Sequence, residues 1–96
     1  VWELPLSFEL DDWVHFQFNF DPYRKGGATP SDVLEIWQGE LDWMDANVDG
    51  GILTVTMHPQ VIGRGHRMAM LDAFVERGRE LGARFARMGD VAQSLT

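Results

Sequence analysis

Thr56-Met57-His58-Pro59-Gln60-Val61-Ile62-Gly63-Arg64 is the stretch whose reading decides the fold. It closes an apolar run, Ile52 to Met57, with a histidine, then breaks into a proline- and glycine-containing loop that leads to an amphipathic helix. A nearly continuous apolar run of this length predicts a strand covered on both faces, as in a parallel sheet. His58 then stands at the carboxyl end of a buried strand, where α/β folds bind ligands and do chemistry. Read locally, a polar residue at that place also simply caps a strand.

Working outward, Thr29-Pro30-Ser31-Asp32 reads as a helix start, with Thr29 as cap, Pro30 first and Asp32 at the positive end. Val33, Leu34, Trp37, Leu41 and Met44 recur at helical spacing and predict the buried stripe of a helix reaching about Ala46. Beyond the His58 loop, a helix is predicted from His66 to Leu81, with Met68, Leu71, Phe74, Val75 and Leu81 inward and Gly82 as its left-handed stop. Trp2 to Phe8 reads as a short strand, and His15 to Phe20 as a second strand or an ordered loop. Asp21 to Ala28 is a loop, Arg84-Phe85-Ala86 a very short strand, and Asp90 to Leu95 a last short helix.

Strands alternating with helices predict an α/β domain with a parallel sheet and right-handed crossovers. We expect residues 1–96 to form one domain. Three or four parallel strands leave edges uncovered. The expectation is therefore a partial (β/α) barrel, completed by residues missing before Val1 or by oligomerisation, most simply a two-fold homodimer.

Fifteen acidic against eight basic residues give a net charge of −7 in 96 residues. That balance argues against nucleic acid and against an anionic membrane surface. No cysteine is present, which excludes disulfides and thiolate metal sites. No apolar run approaches a membrane span of about 20 residues. Val1-Trp2-Glu3-Leu4 reads neither as a signal peptide nor as an initiator start, so we expect a chain that begins in mid-protein; the compartment is left open, with the cytoplasm slightly favoured.

Three groups carry possible chemistry. Asp11-Asp12-Trp13 offers carboxylates beside an aromatic, or a solvated turn capped by aspartate. An aspartate facing His58 would raise its pKa and fix its tautomer, making a general acid near neutral pH. Gly63-Arg64-Gly65-His66-Arg67 offers arginines for a carboxylate or phosphate, or a flexible loop with a charged first helical turn. His15 and His66 read as surface or loop histidines. No His-x-x-x-His, His-Glu-x-x-His or Gly-x-Ser-x-Gly is present, and no residues complete a metal site by themselves.

Pro5 to Trp13, Val33 to Trp37, Leu53 to Arg64 and Arg84 to Ala92 resemble the C-terminal part of polysaccharide deacetylases with the NodB-type fold, nearest the peptidoglycan deacetylase-like and allantoinase-like branch. The resemblance covers nearly the whole chain and is most specific around His58. It implies a distorted (β/α) barrel that hydrolyses a non-peptide C–N bond of an N-acetylated glycan or a small amide or ureide. A divalent metal, zinc or similar, is possible in the complete enzyme. It implies that His58 is the general acid, that Asp12 orients and tunes it, that Trp13 lines the substrate groove, and that Pro59 to Arg64 form part of its rim, with Arg64 touching substrate.

The family's aspartate pair, metal-binding histidines and Arg-x-Pro element come earlier in such chains and are not present here. Gly65 stands where the resemblance leads one to expect proline. We therefore expect a C-terminal fragment that is inert alone and binds no metal by itself. The alternative is a non-catalytic α/β module that self-associates or binds glycan through Trp13, Phe16, Phe18, Phe20 and Tyr23.

Overall fold

The computed structural model describes residues 1–20 and 23–95, without the side chains of 19, 20, 23 and 24. Asp21 and Pro22 of the expected loop lie outside the described residues. The helices are α1 (Asp12–Phe16), α2 (Pro30–Asn47), α3 (Pro59–Ile62), α4 (Gly65–Glu80) and α5 (Met88–Ser94), with a 3-10 turn at Phe8–Leu10.

The expected parallel sheet, and with it the partial barrel, is not there. Among the described residues the paired strands are β1 (Asn19–Phe20) and β2 (Tyr23–Arg24), a short antiparallel ladder. One isolated parallel bridge joins Asp11 to Thr56. The fold is helical. A β-branched run becomes a strand only when a neighbouring segment pairs with its backbone over several residues. Within 52–57, only Thr56 finds a backbone partner among the described residues: its N–H donates to the Leu10 carbonyl at 2.8 Å, and its carbonyl accepts from Asp12 N–H at 3.1 Å. Trp2 to Leu6 and Arg84 to Ala86 form no strand either.

The run His15 to Phe20 is divided: His15 and Phe16 belong to a helix, while Asn19–Phe20 form β1. Asp11 caps α1, its side chain accepting from Trp13 N–H at 2.9 Å, which is the ordinary role of aspartate before a first turn. Phe16 then ends a one-turn helix and is buried instead of lying on a strand face.

The long helices follow their sequence signals. Thr29 Oγ1 accepts from Asp32 N–H at 3.2 Å, with Pro30 in the first turn of α2. Val33, Trp37 and Leu41 are buried, and Leu34 and Met44 pack against them. From α4, Met70 and Phe74 join the core, while Leu71 and Leu81 flank it. Met68, expected inward, is 41% exposed, because the buried stripe of α4 runs through Met70, Phe74 and Gly78. Gly82 ends the helix region at φ 80°, a conformation that costs glycine little.

α2 and α4 pack as the main layer. Trp37 meets Phe74 edge-to-face with centroids 5.6 Å apart, and Trp37 Nε1 donates to the Glu9 carbonyl at 2.7 Å. That bond anchors the segment leading into Asp11 and Asp12. No helix among the described residues is long and apolar enough to cross a membrane.

Candidate active site

Asp12 opens α1, and His58 immediately precedes α3. They lie 46 residues apart in sequence, yet Asp12 Oδ1 is 2.7 Å from His58 Nδ1 and Asp12 Oδ2 accepts from His58 N–H at 2.9 Å. The Asp11–Thr56 bridge sets this register, placing His58 two residues beyond the crossing and Asp12 one residue beyond it. Proline at the first position of α3 turns the chain away directly after the histidine. Gly63 closes that turn, because a Cβ there would meet the Pro59 carbonyl oxygen at 2.4 Å.

Asp12 is fully buried, with 0% of its surface exposed. A buried carboxylate needs partners for its oxygens, and His58 supplies one to each. A carboxylate only accepts, so His58 Nδ1 carries the proton and donates to it. Nε2 is left as the ring nitrogen that faces chemistry. The hydrogen bond to Asp12 holds the His58 pKa above its ordinary 6.5, against the opposing effect of desolvation, with the charges of Asp12 and Asp11 adding to the rise. The imidazolium thus persists to higher pH than in a free histidine.

Trp13 stands over this pair, its ring edge-to-face with the His58 imidazole at 5.4 Å, and remains 36% exposed. Asp11 Oδ1 is 4.0 Å from His58 Nδ1. Asp11, Asp12 and His58 place one ligand atom each within 4.8 Å of one another. Both Asp12 oxygens are taken up by His58, and Asp11 Oδ1 caps α1.

The structure thus brings together three of the residues singled out by the sequence: Asp12, Trp13 and His58. Arg64 is exposed as the residue before α4, and no hydrogen bond or ion pair links it to the pair. Arg67, read with it as an anion holder, instead places its guanidinium 4.4 Å from the Phe16 ring centroid and donates from Nη1 to the Val61 carbonyl at 2.8 Å. Nothing in the pattern Gly63 to Arg67 distinguishes its two arginines; helical phase decides. His66 is exposed, as expected. His15 is half-buried in α1, with Nε2 2.9 Å from the Glu9 carbonyl oxygen. Of the aromatic patch, Phe16 is buried and Phe18 exposed, while the side chains of Phe20 and Tyr23 lie outside the described ones.

No family model matches the chain. It is similar to the peptidoglycan deacetylase of Helicobacter pylori (strain ATCC 700392 / 26695), being 26% identical over 92 residues, which is 94% of this chain and 31% of that protein. The chain spans under a third of the length of the curated relative it matches. A likeness of that extent supports a deacetylase-like relationship.

Proposed function

We propose that this chain carries the proton-donating part of a hydrolase of non-peptide C–N bonds, of the kind that removes acetyl groups from peptidoglycan or a related N-acetylated glycan. The observation that carries the reading is the buried Asp12 carboxylate bonded to both the backbone and the ring of His58. The likeness to a peptidoglycan deacetylase over 94% of the chain supports it.

Amide hydrolysis passes through a tetrahedral intermediate whose nitrogen leaves poorly as an anion. His58 Nε2–H would give that nitrogen its proton as the C–N bond breaks, leaving neutral imidazole and a free amine. Asp12 keeps a proton on Nδ1, so that Nε2 is the nitrogen that takes up and gives away the catalytic proton, and it stabilises the charged ring beforehand. Trp13 would offer an aromatic face to a sugar ring beside the donor. The base that activates water, and any metal, would come from residues outside this chain.

The test is kinetic. In the polypeptide that contains these residues, with N-acetylglucosamine oligomers as substrate, His58→Ala should lower kcat for the N-acetyl substrate while sparing an ester analogue, whose leaving oxygen needs less help. An equal loss on both substrates would contradict the acid role.

We also propose a second copy of the chain as a partner. A groove of about 700 Å³, lined by Leu41, Met44, Val55, Leu71, Phe74 and Val91 among others, opens beside the extended run 52–57. Apart from Thr56, that run makes no backbone hydrogen bond to another described segment. It holds no charge and is rich in β-branched residues, so two such runs can pair across a two-fold axis. Light scattering should give a dimer mass that dissociates on dilution; a monomer at every concentration would refute the pairing.

A further inference from the structure

We infer that Arg67 is a positioning residue for the Asp12–His58 pair, clamping the helix that begins at Asp12 to the helix that follows His58. The inference rests on the reading of that pair as a proton donor.

The two partners of the pair sit on short pieces of structure. α1 has five residues and α3 has four. Helices this short are unstable by themselves, so their placement comes from tertiary contacts. The backbone bridge at Thr56 ties the segments before each helix; at the far ends, α1 is bonded to Gly27 and Ala28 and α3 is buried through Val61 and Ile62, with no backbone bond between the two helices among the described residues. Arg67, in the first turn of α4, reaches both. Its guanidinium lies over the Phe16 ring at 4.4 Å, at the last residue of α1. Its Nη1 donates at 2.8 Å to the carbonyl of Val61, the third residue of α3.

A planar cation is suited to this double task, since one face stacks on an aromatic ring while an in-plane N–H reaches a carbonyl. Arg67 Nε is buried without a partner. An apolar side chain of similar length would fill the space without that cost, so packing alone does not account for an arginine here. The two contacts to separate elements do.

The test reads His58 itself, by nitrogen-15 NMR of its imidazole through a pH titration of the full chain. Asp12→Asn serves as the reference and should bring the His58 pKa down toward 6.5 and release the preference for a proton on Nδ1. Arg67→Met, with unchanged helical circular dichroism, should move both signals in the same direction and to a smaller extent. A folded Arg67→Met protein with wild-type His58 titration and tautomer would overturn the inference. If Arg67→Met does not fold, Phe16→Leu is read instead, since it removes the stacking face and keeps an apolar side chain; the same two outcomes decide. Should Asp12→Asn leave His58 unchanged, the pair itself has been misread, a failure distinct from that of Arg67 alone.

Discussion

Asp12 holds His58 by two bonds at once, Oδ2 to the backbone N–H at 2.9 Å and Oδ1 to ring Nδ1 at 2.7 Å. The first bond fixes where the histidine backbone lies, and the second fixes how the ring is turned. Breaking the first moves α1 relative to the turn after Met57, whereas breaking the second needs only a turn of the imidazole. A single buried carboxylate therefore links fold and chemistry.

The raised pKa of His58 makes stability depend on pH with a definite sign. Its folded value lies above the ordinary 6.5 of the unfolded chain. The folded state thus binds the proton more tightly, and the contribution is complete below 6.5 and is lost as pH rises through the folded value. The charged groups facing the ring are Asp12 and Asp11. In urea titrations, the stability gap between wild type and His58→Gln should be widest below pH 6.5 and narrow above the folded value. A gap that widens on going alkaline would contradict the assignment.

Loss of the acid should be costly for turnover and mild for binding. General acid catalysis contributes about 10²- to 10⁴-fold, so His58→Ala should lower kcat on an N-acetyl substrate by a factor in that range with little change in KM. Trp13→Ala should do the reverse, raising KM more than it lowers kcat, because on the proposed reading its exposed ring would meet the sugar and not the transferring proton. Steady-state kinetics on both variants checks the split.

Gly65 offers a stabilising substitution. It is the first residue of α4, a Cβ placed on it meets nothing within 4 Å, and its φ is not positive. Arg64 before it lies at φ −101° and ψ 144°, which suits a residue preceding proline. Its N–H makes no backbone bond. Gly65→Pro should therefore raise stability by about 0.4–1 kcal/mol through the unfolded chain, seen as a higher Tm with unchanged His58 titration.

Trp37 is the opposite case. It is fully buried, meets Phe74 edge-to-face and donates to the Glu9 carbonyl. Trp37→Ala should cost about 3–5 kcal/mol, a large part of the stability of a chain this size. Trp37→Phe keeps most of the volume and loses the Glu9 bond, so it should cost about 1 kcal/mol and loosen the Phe8–Leu10 turn before the site. Denaturant midpoints rank the two.

What the sequence determined by itself is local. The start of α2 at Thr29-Pro30, its buried face at Val33, Trp37 and Leu41, and the stop at Gly82 are settled within one or two helical turns, by capping, periodicity and backbone freedom. The candidates Asp12, Trp13 and His58 were legible too, through their positions beside apolar runs and through family resemblance. Strand formation was not, because pairing is a property of two segments: Ile52 to Met57 has the composition of a buried strand, and among the described residues only its Thr56 has a backbone partner. Tertiary structure supplied the geometry of the pair: Asp11 became a cap, and Asp12, already the expected partner, engages His58 at close range. It also separated Arg67, which reaches α1 and α3, from Arg64, which does not. Such choices turn on distances of a few ångströms between residues far apart in the chain, and no local pattern encodes those distances.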